Sequence, residues 1–151
     1  MKILGGYGSV KDKSLLEIER IIGINLSNNY IQILKENDGG VPEKDVFEYY
    51  DIDYQFIVSN CVGAFLCINP NQYGDLLSTY LNPPEFFPEG LVAIAKDGGG
   101  NLICFDYRKG KDNPNPQIVF WNHSADIGKD VSFVAKDFET FIGMLKSDDE
   151  L

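Results

Sequence analysis

Between Glu43 and Tyr54 the chain reads Glu-Lys-Asp-Val-Phe-Glu-Tyr-Tyr-Asp-Ile-Asp-Tyr, five carboxylates and four aromatic rings against one lysine. Carboxylates at this density can imitate the spacing of phosphates, and tyrosine is enriched among residues that dominate protein–protein binding energy. The combination is suited to capturing a basic partner, which makes Glu48, Tyr49, Tyr50, Asp51, Asp53 and Tyr54 candidate contacts. A competing reading is a strand with one face in the core and its carboxylates merely solvated. Alternation would place Val46, Glu48, Tyr50 and Ile52 on one side and Phe47, Tyr49, Asp51 and Asp53 on the other. Neither face is cleanly apolar.

Other residues offer less chemistry. Asp97-Gly98-Gly99-Gly100 has the glycine content of a phosphate cradle, but such loops open a helix and carry a Lys-Ser/Thr. Here a strand candidate follows, so a hairpin turn needing positive φ is the better reading. His123 is the only histidine, and a nucleophilic dyad would need Cys61, Cys67 or Cys104. If Asn101–Tyr107 pairs with Gln117–His123 so that Tyr107 faces Gln117, Cys104 lies opposite Phe120 and His123 falls near Asn101, at the far end. No dyad forms in that register, and the cysteines lack the paired short spacings of structural zinc sites. An enzyme using Cys104 or His123 with Asp106 has no motif behind it. No catalytic residue, metal or cofactor is expected. Trp121 and His123 share a face with Val119, opposite Ile118 and Phe120. Should helices cover Ile118 and Phe120, Trp121 and His123 would join the candidate contacts; a helix-buried Trp121 is the alternative. Glu85-Phe86-Phe87 after two prolines reads either as an aromatic lip or as core.

These residues need a scaffold, and 151 residues suffice for one domain, since a chain of that size buries about 68–70% of its unfolded surface. The formal net charge of −10 repels phosphate backbones, which disfavours direct nucleic-acid binding, and attracts basic surfaces. Three cysteines in apolar surroundings suit reduced, packed thiols. Ile3-Leu4 before Gly5-Gly6-Tyr7-Gly8 is too short for a signal-peptide core, and a cytoplasmic address is expected. The uncharged stretch Tyr54–Gly74 is interrupted by Gln55, Ser59, Asn60, Asn69, Pro70, Asn71 and Gln72, which argues against a membrane span.

Ser14-Leu15-Leu16-Glu17 has the spacing of a capping box and predicts a helix start, with Leu15, Ile18 and Ile22 on one face and Gly23 ending it. Ser27 predicts the cap of a second helix carrying Tyr30, Ile31, Ile33 and Leu34, stopped at Asn37-Asp38-Gly39-Gly40. Strands are predicted at Val46–Ile52, Phe56–Ser59, Gly63–Ile68, Leu91–Lys96, Asn101–Tyr107 and Gln117–Asn122, with a short helix over Asp75–Leu81. Phe138, Phe141, Ile142 and Leu145 form the apolar stripe of a last helix. Helices, then strands, then a helix argue for an α+β fold: N-terminal helices, a central mainly antiparallel sheet and a C-terminal helix, in one domain over residues 1–151 with flexible ends at 1–12 and 147–151.

The order of these motifs resembles the SUKH superfamily, which spans yeast cell-wall assembly regulators and many bacterial immunity proteins. The resemblance rests on the helix around Ile18-Glu19, and on Leu26-x-x-x-Tyr30-x-x-x-Leu34 ending in Asn37-Asp38-Gly39-Gly40. It continues through Phe87-Pro88-Glu89-Gly90-Leu91-Val92-Ala93-Ile94-Ala95, the hairpin into Cys104-Phe105-Asp106, and Val119-Phe120-Trp121-Asn122-His123 before Phe138-Glu139-Thr140-Phe141-Ile142. Together these span nearly the whole chain. Ser27 departs from the usual Leu-Pro at its helix start, and Asp38 stands where many members have only Asn-Gly-Gly; serine caps equally well. The resemblance implies a non-enzymatic antitoxin that binds and neutralises a cognate protein toxin, often a basic nuclease domain. A regulatory scaffold of the cell-wall type is the alternative it offers.

Overall fold

The computed structural model describes residues 1–150. Near its N-terminus β1 (Ile3–Leu4) pairs with β2 (Val41–Pro42), and between them lie α1 (Asp12–Ile22) and α2 (Asn28–Glu36). A two-stranded antiparallel hairpin follows, β3 (Val46–Asp51) with β4 (Phe56–Cys61). The main sheet has five antiparallel strands in sequence order: β5 (Ala64–Phe65), β6 (Leu91–Lys96), β7 (Leu102–Asp106), β8 (Gln117–Trp121) and β9 (Val131–Ala135). Helix α3 (Leu76–Leu81) lies between β5 and β6, and α4 (Phe138–Met144) follows β9. The α+β class and the single core match the expectation.

Local chemistry explains most helix starts. Ser27 Oγ accepts from Tyr30 N (3.4 Å), Asp75 Oδ1 from Ser78 N (2.9 Å) and Asp137 Oδ1 from Thr140 N (2.8 Å), each satisfying an otherwise orphan amide at α2, α3 and α4. The capping box expected at Ser14 does not form. Helix α1 begins three residues earlier, with Lys11 at the cap position and no side-chain cap, while Asp12 complements the helix dipole. Glu17 is therefore not a capping partner, and Glu19 instead turns its Oε2 to Leu26 N at 2.7 Å, tying α1 to the start of α2. Gly23 does end α1 in the left-handed conformation, at φ 81°.

One face of the main sheet is covered by α2, α4 and the inner face of β3. Tyr30 meets Phe105 and Phe138 edge-on at 5.1 and 5.2 Å, and Phe47 and Tyr49 pack on Phe120. Burying each such ring contributes about 1.5–3 kcal/mol before entropy is counted. Strands β6 to β8 are buried on both faces. The residues expected as a flexible N-terminal end carry several tethers: the β1–β2 pairing, Val10 in the core, and Tyr7 N bonded to Asp38 O at 2.9 Å. Of the expected C-terminal end, Asp148–Glu150 form a short 3-10 turn whose Glu150 pairs with Lys44 at 2.9 Å, and Leu151 lies outside the described residues.

Asp38 is the hub of the N-terminal region. It is buried, accepting Ile68 N on Oδ1 (2.6 Å) and Asn69 N and Nδ2 on Oδ2 (3.3 and 2.9 Å). Gly39 and Gly40 follow at φ 76° and 86°, and a Cβ on Gly40 would sit 2.8 Å from the Leu4 carbonyl oxygen. The glycine pair is thus demanded by backbone conformation and by the close approach of β1.

Candidate functional site

The β3–β4 hairpin divides the acidic-aromatic segment into two populations. On β3, Phe47, Tyr49 and Asp51 point inward and are buried, while Glu48 and Tyr50 are exposed. Opposite-residue pairing places Tyr50 beside Ile57 and Glu48 beside Ser59 on the outer face. At the tip, Tyr54 stacks on Phe56 with ring centroids 5.7 Å apart and planes 15° from parallel. Tyr50, Tyr54, Phe56 and Ile57 are 50–60% exposed, an apolar cluster flanked by Glu48 and the half-buried Asp53.

Two of the six expected contacts in this segment are corrected by burial. Tyr49 is 6% exposed, sandwiched with Phe47 and Phe120, and burial followed by the nearby Asp51 charge pushes its hydroxyl pKa up to about 12. Asp51 is 3% exposed and organises the hairpin turn: its Oδ1 accepts Asp53 N at 2.9 Å and Tyr54 N at 3.0 Å. Its backbone oxygen accepts Gln55 N at 2.7 Å, where Gln55 adopts φ 64°. Neither residue is free to meet a partner in this conformation. Their neighbours Glu48, Tyr50, Asp53 and Tyr54 remain on the surface.

Trp121 is the third correction. Phe120 is covered, by Phe47 and Tyr49 of β3 rather than by a helix, but Trp121 is not thereby left open, because the segment after Pro83-Pro84 folds across the opposite face. Phe87 packs edge-on against the indole at 5.0 Å, and Nε1 donates to the buried Asp130 carboxylate at 3.1 Å. Phe86, from the segment read as either a lip or core, is 69% exposed at φ 66°, a backbone conformation that non-glycine residues adopt at a cost. With Ile127, His123 and Asp126 it rims a groove of about 340 Å³ with Trp121 below. His123 is exposed, as expected, and held by Asn101, whose Oδ1 accepts His123 N at 3.1 Å and lies 2.6 Å from Nδ1. Phe56, Ile57 and Ile127 are exposed positions that sequence reasoning did not single out. An apolar run such as Phe56-Ile57-Val58 reads locally as buried, and it carries none of the charge or proline that ordinarily marks an edge strand.

The glycine-rich turn holds an anion of its own. Asp97 Oδ1 accepts Gly99 N (2.8 Å) and Asn101 N (2.9 Å), and Oδ2 accepts Nδ2 of Asn101 (2.8 Å) and of Asn60 (3.1 Å). The amides a phosphate would use are occupied by this carboxylate. Burial tends to raise the Asp97 pKa, but the bonds from Asn101, Gly99 and Asn60 outweigh it and hold the carboxyl below its ordinary range. The β7–β8 register differs by one residue from expectation: Asp106 faces Gln117, and Cys104 faces Val119 rather than Phe120. Both strands are buried on both faces, so hydrophobic alternation does not distinguish the two registers. Cys104 is fully buried, and burial raises its thiol pKa well above the ordinary value, the reverse of an activated nucleophile. Among the described residues no three His, Cys, Asp or Glu side chains gather as metal ligands.

Against this geometry, the SMI1 / KNR4 family (SUKH-1) model matches residues 9–144. The chain belongs to the SUKH-1 family. The match runs from the start of α1 to the end of α4 and so takes in the whole main sheet. SUKH membership places the chain among domains that include immunity proteins of toxin systems. The chain is also similar to the SPbeta prophage-derived uncharacterized protein YokK of Bacillus subtilis (strain 168), 30% identical over 91% of this chain and 76% of that protein. No solved structure matches. No helix is long and apolar enough to cross a membrane among the described residues.

Proposed function

We propose that this SUKH-1 protein is an immunity protein that binds a basic protein toxin, a nuclease domain by preference, and neutralises it by stoichiometric masking. The observation that carries this reading is the hairpin surface, where four exposed apolar side chains lie between carboxylates on a chain of net charge −10. A nuclease must hold phosphates and is correspondingly basic, so opposite fields would accelerate capture by roughly 10- to 1,000-fold. Glu48, Tyr50, Asp53, Tyr54, Phe56 and Ile57 are the proposed contacts. His123, across the molecule's turn at Asn101, is retained as a peripheral candidate. The prophage origin of YokK fits a gene carried for competition between cells.

Co-expression tests the reading. The protein should restore growth to cells producing the toxin domain encoded beside its gene, and should co-purify with it in a fixed ratio. Failure of both rescue and complex formation refutes it, and isolation of the gene among housekeeping genes would favour the scaffold alternative. Asp53→Lys should slow association several-fold at low salt, with the difference shrinking as salt is added.

A further inference from the structure

We propose that the outer edge of β4 is a strand-addition site, on which an extended segment of a basic protein partner pairs its backbone with Ile57 and Ser59. The inference rests on the immunity reading and specifies its docking mode. Among the described residues strand β4 pairs only with β3, so one row of its backbone groups is directed away from the sheet. Which groups these are follows from the ladder. Val62 N donates to Asp45 O at 2.8 Å, making Asp45 and Val62 a hydrogen-bonded pair in the same register as β3 and β4. Antiparallel pairs alternate between bonded and non-bonded, which assigns the bonds to Phe47/Asn60, Tyr49/Val58 and Asp51/Phe56. Ile57, Ser59 and Cys61 are left with outward N–H and C=O groups. Val46 confirms the phase from the other strand: as the partner of Cys61 it should also point away from the hairpin, and it exchanges both its bonds with Lys146 at 2.9 Å.

The edge is closed at one end and open at the other. Cys61 N is taken by Asn60 Oδ1 at 2.8 Å, whereas no described loop or side chain bonds the outward groups of Ile57 and Ser59. Proteins ordinarily blunt such an edge with lysine, proline or inward charge. Phe56-Ile57-Val58-Ser59-Asn60-Cys61 has none of these. It offers about 20 Å of uncharged edge, with Ile57 and Tyr50 exposed beside it and the Tyr54–Phe56 stack at its tip. Charge selects the occupant. From Asp45 to Ala95 the chain carries seven carboxylates and no Lys, Arg or His. A second copy would bring this acidic segment against its own like, while a basic strand meets complementary charge.

Amide hydrogen exchange on the free protein and on its complex with the inactivated neighbouring toxin domain tests the site. The Ile57 and Ser59 amides should exchange rapidly in the free protein and at least about tenfold more slowly in the complex. Ser59→Pro removes an outward donor at a position where an edge strand tolerates proline. It should weaken binding by at least about tenfold with little change in the urea midpoint, while Ser59→Ala binds as the parent does. A complex that forms with both amides still exchanging freely overturns strand addition and leaves the immunity reading standing. Protection already present in the free protein at low concentration, or appearing with doubled mass as concentration rises, overturns it in favour of a closed or self-paired edge. Absence of any complex overturns both. Should Ser59→Pro unfold the chain, the exchange arm decides.

Discussion

Replacing Asp97 by alanine should cost about 2–4 kcal/mol of stability at neutral pH. The residue is 8% exposed, and its carboxylate accepts four hydrogen bonds, two from backbone amides of the β6–β7 turn, one from Asn101 and one from Asn60 on β4. Bonds to an ionised acceptor contribute about 1.5–3 kcal/mol each when dry. Gly99 is exposed, however, and Asn60 and Asn101 are half-buried, so water recovers much of the loss. The net corresponds to a fall in melting temperature of about 5–15 °C for a domain of this size. Because the folded pKa is depressed, the contribution is complete above the unfolded carboxyl value near 4, and is lost as pH falls through the lower folded value. Urea unfolding followed by the fluorescence of Trp121, the sole and buried tryptophan, measures this directly. The gap between parent and variant should be constant from pH 5 to 8 and narrow towards pH 2.5. Asp97→Asn should also destabilise, because its amide would present a donor to the two asparagine donors, and its gap to the parent should narrow in acid in the same way, since it is the parent carboxylate that titrates. A gap under about 0.5 kcal/mol at pH 7, or one that does not narrow in acid, refutes the assignment of the turn to this carboxylate.

Asp51→Ala should cost about 1–2 kcal/mol through its two turn amides, whereas Tyr50→Ala should stay within about 0.5 kcal/mol of the parent and weaken toxin binding instead; chemical denaturation alongside calorimetric titration separates the two. Gly40→Ala should destabilise by about 1–3 kcal/mol, since its φ is 86° and the new methyl would meet the Leu4 oxygen at 2.8 Å; denaturant midpoints check this. Thiol labelling of the native protein should find Cys61 reactive first, with the buried Cys67 and Cys104 protected until the chain unfolds. Equal labelling of Cys104 and Cys61 would contradict the core placement.

The candidate surface was only partly legible. Glu48, Tyr50, Asp53 and Tyr54 were picked out by composition, and the structure leaves Glu48, Tyr50 and Tyr54 exposed and Asp53 half-buried, but Tyr49 and Asp51 came from the same run and are buried. Alternation separates two faces of β3 without saying which one meets β8. Asp51 looked like a free carboxylate because an Asp-x-Asp pair in a turn has the same composition whether its oxygens face solvent or the turn's own amides. Trp121 illustrates the same limit on a larger scale, for its cover is Phe87, 34 positions away in the chain. Strand β9 went unpredicted: Val131-Ser132-Phe133-Val134-Ala135 is short and lies beyond a polar loop that gives no hairpin signal.

By itself the sequence determined what local physics controls. Ser27, Asp75 and Asp137 stand where helix amides need acceptors, Gly23 and Gly40 where φ must be positive, and unbroken apolar runs mark β6, β7 and β8 as central strands. Their order is enough to recognise the SUKH domain. Tertiary structure alone decided the register of β7 on β8, which face of β3 is inward, what covers Trp121, and that the outward backbone groups of Ile57 and Ser59 on β4 find no partner among the described residues. Those outcomes depend on which distant surfaces meet. Where a strand is apolar on both faces, or a segment is acidic and aromatic throughout, the residue pattern is nearly the same for either arrangement, and only packing between remote segments selects one.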